Sequence, residues 1–174
     1  MNTYNNKRRQ DTVKKIEKVF LECLENQNIS QINVSFLCKK AEINRGTFYT
    51  NYMDIYDLAE NVLQCLQQEV EILLERDFRQ KYSETDFEKL FEHIQNNKNL
   101  YMAYFKLGTI IQLDLNAFCI PVQSVDFDPE TIDYHITFFR NGFNALVRKW
   151  LDGGCKETPQ QMQKILLREY QGRF

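Results

Sequence analysis

The sequence has little of what would break the chain into short elements or hold it in a membrane. Among 174 residues there are only 6 glycines and 3 prolines, so we expect few turns and long elements between them. No apolar run approaches the roughly 20 residues of a membrane-spanning helix, and the polar start MNTYNNKRRQ leads into no apolar signal-peptide core. We therefore expect a cytoplasmic protein with either one large domain or a small domain fused to a medium one.

Signatures of catalysis and metal binding are missing as well. The five cysteines are widely spaced with no Cys-x-x-Cys pair, so we interpret them as small buried side chains. His93 and His135 stand alone, without metal-ligand spacing. There is no glycine-rich phosphate loop and no compact acid–base motif. We predict that the protein is not an enzyme and holds no metal or cofactor, although a helical enzyme built from scattered residues stays open.

Helical periodicity runs through almost the whole chain, and no segment alternates convincingly as a strand would. The first helix is predicted from about Arg9 to Glu25, where apolar residues recur on one face. Asn33, Asn44 and Asp54 are good helix caps, and they predict two short helices followed by a long one. Two short helices joined by a tight turn are typical of a helix-turn-helix motif.

The remainder of the chain has a helical pattern of its own. Residues 100–118 are largely apolar and are predicted to form a buried helix. Proline and glycine signals place a long helix from Pro129 to Leu151 and a last helix from Pro159 to Tyr170. The predicted fold is all-α with about nine helices. We divide it into a helix-turn-helix head, residues 1–53, and a helical body, residues 54–174.

Charge is divided unevenly between the two ends of the chain. Residues 1–50 contain nine Lys or Arg and five Asp or Glu, a net charge of +4. The other 124 residues carry 13 basic and 19 acidic side chains, a net charge of −6. A basic head on an acidic body indicates a polyanion partner for the head. Charge alone, however, favours an ordinary solvated surface.

The segment EINRGTFYTNY, residues 42–52, lies at the second helix of the motif, which in DNA-binding proteins enters the major groove N-terminus first. Gly46 costs about 1 kcal/mol relative to alanine inside a helix, but it lets the backbone come close to DNA. Arg45 is of the type that reads guanine, and Thr47 can meet thymine or a phosphate. Tyr49 is placed to donate a hydrogen bond to a phosphate. The other interpretation, a poorly made core helix, fits the capped ends and the basic head less well.

The opposite face of this segment is predicted to be buried, with Phe48 and Tyr52 packed against Phe20, Leu37 and Leu58. The polar residues then form the expected DNA-binding surface. Its candidate members are Asn33, Asn44, Arg45, Gly46, Thr47, Tyr49 and Thr50, together with Lys7, Arg8 and Arg9 of the basic start.

These residues carry a resemblance to a known family. The segment INVSFLCKKAEINRGTFYTNYMDIYDL resembles the DNA-binding signature of TetR-family transcriptional regulators, and FFRNGFNALVRKWLDGGCKETPQQM resembles the ending of one subgroup. Two positions depart from the family pattern. Glu42 stands where a glycine is frequent, and we expect the backbone to adapt so that Glu42 avoids a positive φ. Ile55 stands where a phosphate-contacting lysine is frequent, and Tyr56, Lys39 or the arm Lys7–Arg9 are its possible replacements.

The resemblance implies a dimer formed through the last two helices. The long helix has two adjacent apolar stripes, and a helix of this kind packs against two things. One stripe is then core and the other faces a second copy, unless both are core of the same chain. The candidate dimer residues are Phe138, Gly142, Ala145, Trp150, Met162, Ile165 and Leu166.

The resemblance also implies a small-molecule pocket among the middle helices. The body is dense in aromatic residues, and buried tyrosine hydroxyls need hydrogen-bond partners. Filling of an ordinary core explains the same residues equally well. The candidate ligand-binding residues are Tyr101, Tyr104, Phe105 and Phe139.

The function expected from these features is that of a homodimeric transcription regulator, a repressor, that binds double-stranded DNA. Two-fold symmetry predicts a pseudo-palindromic operator, and an unidentified small-molecule effector would modulate operator affinity. No membrane partner is expected. The alternative is an all-α interaction adaptor that does not bind DNA.

Overall fold

The computed structural model describes residues 3–75, 84–108 and 131–171, and these residues are helical with short connections. A single 3-10 turn, Ile29–Gln31, follows the first helix. No strand occurs in the described ranges, which confirms the predicted all-α class. Residues 109–118 of the predicted buried helix, and the predicted helix start at Pro129, lie outside them. The α-helices are α1 (Thr3–Asn26), α2 (Val34–Lys40), α3 (Arg45–Tyr49), α4 (Ile55–Glu75), α5 (Glu84–Asn96), α6 (Lys98–Leu107), α7 (Ile132–Asp152) and α8 (Pro159–Gln171).

Helix α1 begins at Thr3, ahead of the start near Arg9 that the apolar pattern predicts. The segment before Arg9 is polar, so periodicity cannot show its helicity. Elongating an existing helix is far easier than nucleating one. The helix that the buried later turns form can therefore extend toward the N-terminus as far as Thr3. The basic residues Lys7, Arg8 and Arg9 are therefore exposed on a helix and do not form an arm.

The chain forms two compact units. The first contains residues 1–66 and 102–112, and the second contains residues 67–101 and 113–174. The inward face predicted for α3 is confirmed, because Phe48 is fully buried and Tyr52 nearly so. This division into units does not test the predicted boundary between head and body at residue 53, which stays a prediction. Fully buried residues of the first unit include Ile16, Phe20, Leu37, Phe48 and Leu58.

A lysine of α6 caps the C-terminal end of α1 within the first unit. The Nζ of Lys106 donates hydrogen bonds to the carbonyl oxygens of Leu24 and of Gln27, the latter at 2.9 Å. The last carbonyls of a helix have no partner within it, and a cation there complements the helix dipole. Lys106 therefore fixes the end of α1 although it is distant in sequence.

The turn between α2 and α3 is a Schellman motif. The N–H of Ile43 donates to the carbonyl of Cys38 at 3.0 Å, and the N–H of Glu42 donates to that of Lys39 at 3.2 Å. This motif requires a left-handed residue after the helix, which is usually glycine. Glu42 takes that position with φ +50°, so the expectation that the backbone adapts is wrong. An exposed ion pair joins the Glu42 carboxylate to Lys15 at 3.1 Å.

We expect Glu42→Gly to be more stable than Glu42→Gln. Both variants lose the ion pair with Lys15, but only glycine relieves the left-handed strain. The strain costs an L-residue about 1–2 kcal/mol, and the extra freedom of unfolded glycine offsets about half of that. Urea unfolding should therefore separate the two variants by about 0.5–1 kcal/mol. Equal midpoints would show that the turn does not strain Glu42.

The second unit has an aromatic cluster and a polar chain. Phe91 of α5 contacts the rings of Phe143 and Trp150 of α7, with centroid distances of 5.9 and 5.6 Å. The Tyr101 hydroxyl forms a 2.8 Å hydrogen bond with Nδ1 of His93. Nε2 of His93 lies 3.5 Å from the Glu69 carboxylate. These contacts connect α4, α5 and α6, so His93 has a structural role.

Candidate nucleic-acid interface

Helix α3 is only five residues long, and its N-cap holds it in shape. The side-chain Oδ1 of Asn44 accepts hydrogen bonds from the N–H of Thr47 at 2.7 Å and from the Thr47 hydroxyl at 3.0 Å. A cap of this kind typically contributes about 1 kcal/mol. Asn33 caps α2 in the same way, through the N–H of Phe36 at 2.9 Å. Both predicted caps are confirmed, and both amide oxygens are therefore committed within the protein.

Gly46 is exposed in the first turn of α3. A Cβ built at this residue would lie 3.3 Å from Oδ1 of Asn44, which is tighter than ordinary van der Waals contact. Glycine at this position therefore avoids a close contact with the capping oxygen of Asn44 and also leaves the backbone of the first turn uncovered by a side chain. The predicted close approach to DNA stays a prediction.

Arg45 and Tyr49 form a pair on the exposed face of α3. A guanidinium Nη2 of Arg45 donates to the hydroxyl oxygen of Tyr49 at 3.4 Å, and its carbon lies 5.9 Å from the ring centroid. The hydrogen bond raises the pKa of Arg45. Because Tyr49 accepts this bond, it keeps its own proton for an outside acceptor. The pair thus offers a cation and a hydroxyl donor from neighbouring turns.

The hydroxyl groups of Thr47 and Thr50 are poorer hydrogen-bond donors for a phosphate than the sequence suggests. The hydroxyl of Thr47 donates its proton to Asn44, and that of Thr50 donates to the Gly46 carbonyl at 2.8 Å. A hydroxyl has a single proton, so neither group can donate to DNA in this conformation. The methyl group of Thr47 still suits a thymine methyl group.

Asn51 links α3 to α1, and sequence reasoning did not identify it. Its Nδ2 donates to the carbonyl of Thr47 at 2.9 Å, and its Oδ1 accepts from Nε of Arg9 at 3.1 Å. The two partners are far apart in sequence, so no local pattern could indicate this bridge. Arg9 is exposed and belongs with Lys7 and Arg8 to a basic turn of α1.

Two other basic residues of the head are paired with acids. Lys15 pairs with Glu42, and Lys40 pairs with Glu22 at 3.2 Å. Exposed pairs of this kind contribute little to stability, but they reduce the positive potential around them. Lys39 is exposed at the end of α2.

The start of α4 is acidic and capped by its own side chains. Oδ1 of Asp54 accepts from the N–H groups of Tyr56 and Asp57 at 2.8 and 2.9 Å. The Asp57 carboxylate accepts from the N–H of Met53 at 2.7 Å. Ile55 is buried, with 5% of its surface exposed, whereas Tyr56 is 47% exposed.

Tyr52 holds the end of α3 against α1. Its hydroxyl donates to the Glu17 carboxylate at 3.1 Å. Burial and the nearby negative charge of Glu17 raise the pKa of Tyr52 above its ordinary value of 10.0. The phenol therefore stays neutral, and α3 is attached to α1 through Tyr52 as well as through Asn51.

The predicted ligand-binding residues are distributed over both units. Tyr101 is fully buried in the second unit, and its hydroxyl already bonds with His93, so it needs no ligand as a partner. Tyr104 is buried in the first unit and contacts the half-buried Phe105, with ring centroids 5.2 Å apart. The side chain of Phe139 lies outside the described part of the chain.

The predicted dimer residues divide into exposed and buried groups. Phe138 is 74% exposed, and Gly142, Ala145 and Ile165 are also exposed. Tyr134, one turn before Phe138, is 78% exposed and was not among the candidates. Trp150, Met162 and Leu166 are at most 5% exposed. They pack within their own chain and therefore offer little surface to a partner, and their place in an interface stays a prediction.

The cysteines have no common environment. Cys23 and Cys38 are buried as expected, and burial raises the pKa of each thiol. Cys65 is exposed on α4, so the interpretation as a buried side chain is wrong for this residue. Cys119 lies outside the described residues. No group of three or more His, Cys, Asp and Glu side chains in the described ranges could hold a metal ion.

Comparisons with known proteins point to a class of regulators. Residues 81–169 match the family model of a TetR-type transcriptional regulator C-terminal region. A TetR transcriptional regulator from Streptococcus agalactiae 2603V is 20% identical, with 97% of this chain and 98% of that chain covered and a TM-score of 0.61. The fatty acid degradation regulator FadR from Bacillus halodurans is 14% identical, with 89% and 92% covered and a TM-score of 0.64.

A third similar structure is the dihydroxyacetone kinase operon activator DhaS, which is 16% identical, with 93% and 95% of the chains covered and a TM-score of 0.58. A comparison with curated protein sequences found no match. The described helices and the matched family model define an all-helical transcriptional regulator. The chain belongs to the TetR family of transcriptional regulators. No helix in the described ranges has both the length and the apolar content to cross a bilayer.

Proposed function

We propose that this regulator is a homodimer that places α3 of each subunit in the major groove of a pseudo-palindromic operator. The observation that carries the proposal is the pairing of Arg45 with Tyr49 on the exposed face of a capped helix. Arg45 would read a guanine, and Tyr49 would donate its remaining proton to a phosphate. The Thr47 methyl group would contact a neighbouring thymine.

The dimer is supported by the exposed face of α7. Tyr134, Phe138, Gly142 and Ala145 follow one another at helical spacing, and all four are exposed in the single chain. Phe143 and Val147 lie on the buried face of the same helix. Contiguous exposed aromatic and small residues are typical of a surface that a partner covers. Ile165 of α8 is exposed as well.

We propose repression as the regulatory outcome and a small molecule as the effector. A dimer that occupies an operator excludes other proteins from that DNA and needs no further contact surface to do so. An effector bound in the C-terminal region would favour a conformation in which the two α3 helices no longer match the groove spacing. Tyr104 and Phe105 remain the candidate lining residues.

Selection of bound duplexes from random sequence is the direct test. The selected sites should contain two inverted half-sites, and affinity should fall steeply with salt because bound phosphates release counterions. A reporter gene behind the selected site should be less active when the protein is present. Absence of any enriched site would favour the alternative of an interaction adaptor.

Arg45→Ala should relax the base preference at one position of each half-site. The loss of a bidentate contact costs about 1–3 kcal/mol of discrimination. Titration of the protein with the selected duplex and with the same duplex changed at that guanine measures this difference. Arg45→Lys is the matched control, since it keeps the charge but loses the planar fork. An unchanged preference in Arg45→Ala would remove Arg45 from base recognition.

A further inference from the structure

Two parts of the first unit differ in charge. The start of α4 carries the carboxylates of Asp54 and Asp57, which accept three backbone N–H groups at 2.7–2.9 Å. The basic turn of α1, formed by Lys7, Arg8 and Arg9, is exposed. A phosphate needs donors and positive charge, and these two sites supply them unequally.

The start of α4 is a poor place for a DNA phosphate. Backbone N–H groups bind anions at many helix N-termini, but those of Tyr56 and Asp57 are already bonded to the Asp54 carboxylate. The first helical residue, Ile55, is buried and offers no charge. A phosphate brought here would meet two negative side chains and the single hydroxyl of Tyr56.

The side chain of Asn51 holds Arg9 beside α3. The Nε of Arg9 donates to Asn51, and Asn51 donates to the carbonyl of Thr47 in α3. One amide thus connects the guanidinium of α1 to the backbone of the helix proposed to enter the groove. The bond uses Nε, so the two Nη groups keep their protons for a bidentate contact with phosphate oxygens.

We propose that Arg9 is the second backbone clamp of the DNA interface, and that Asn51 is the positioning residue that sets its orientation. The inference rests on the proposed binding of operator DNA by α3. Tyr49 holds the phosphate next to α3, and Arg9 holds a phosphate flanking the groove, so α1 fixes how deeply α3 is seated. The Asp54–Asp57 edge makes no phosphate contact.

The test measures operator affinity across a series of salt concentrations for the full chain and its variants. Arg9→Gln should weaken binding to all sequences on the order of tenfold, and it should lower the salt slope by about two, one phosphate for each subunit. Arg9→Lys should keep the slope of the unmodified protein. Lys18→Gln is the control, because Lys18 is exposed on α1 about half a turn around the helix from Arg9.

Asn51→Ala separates positioning from stability. It should weaken binding with an unchanged salt slope, and the double variant with Arg9→Gln should bind no more weakly than Arg9→Gln alone. Additive losses would show that Asn51 acts only on the structure of α3. Tyr56→Phe should leave affinity unchanged.

Three results would overturn the assignment of Arg9. They are an unchanged salt slope in Arg9→Gln, an equal effect of Lys18→Gln, and a loss of affinity in Tyr56→Phe without one in Arg9→Gln. Failure of the unmodified protein to bind any duplex would instead refute the proposed function, so the two failures are distinguishable.

Discussion

Replacing Phe138 by aspartate should convert the proposed dimer into monomers. In the single chain the Phe138 side chain is 74% exposed and the Tyr134 side chain is 78% exposed. Adjacent aromatic side chains with this exposure indicate a surface that a partner covers. In a two-fold dimer the substitution occurs twice. An anchoring aromatic contributes about 2 kcal/mol or more, so two of them correspond to a dissociation constant raised on the order of a thousandfold.

Sedimentation equilibrium measures the association, and titration of the selected operator measures its consequence. A monomer can contact only one half-site, so operator affinity should fall together with dimerisation. Phe138→Leu is the matched control, because it keeps an apolar surface and should retain most of the dimer.

Gly142→Ala provides an independent control on the same face. An alanine Cβ at residue 142 would meet no atom within 4 Å in the part of the chain that the structure describes. The substitution should therefore stabilise the helix of the monomer by up to about 1 kcal/mol, and only a close partner helix would be disturbed. If Phe138→Asp leaves the protein dimeric, the interface lies elsewhere.

Trp150→Ala should destabilise the second unit by about 3–5 kcal/mol, the range for large aromatic side chains removed from a core. Trp150 is 3% exposed and packs edge-on against Phe91. Its Nε1 donates to the carbonyl of Glu157 at 3.0 Å, which holds the connection between α7 and α8. A loss of this size is a large part of the stability of a typical domain.

Urea unfolding at two protein concentrations distinguishes core from interface. A core role predicts the same large loss at both concentrations, whereas an interface role predicts a loss that high concentration suppresses. Trp150→Phe should cost less, because it keeps the ring against Phe91 and loses the indole hydrogen bond. Trp150 is the only tryptophan, so circular dichroism must follow the transition. A small, concentration-dependent loss would return Trp150 to the interface.

Local features of this chain could be predicted from sequence because their causes are local. Asn33, Asn44 and Asp54 were assigned as caps from residue type and spacing, and each makes the expected bonds to N–H groups in the next turn. A capping box of the same local kind starts α8, where Thr158 and Gln161 make both capping bonds.

Other features could not be predicted because their causes lie elsewhere in the fold. The apolar spacing of α7 marks which faces are apolar but not whether a face is covered by the same chain, so Trp150 and Phe138 could not be separated. The left-handed Glu42 is imposed by the hydrogen bonds that close the turn, and its side chain gives no sign of them. The link from Arg9 to Asn51 joins α1 to the turn after α3, and the link from His93 to Tyr101 joins α5 to α6.

The lysine cap on α1 has a consequence for how substitutions are tolerated. Lys106 bonds to the carbonyl oxygens of residues 24 and 27, and every amino acid has such an oxygen. Substitutions at those two positions therefore leave the acceptors in place, while the donor has no substitute among shorter side chains. The cap therefore depends on the side chain of Lys106 and not on the side chains of residues 24 and 27, and a change at Lys106 alone would remove it.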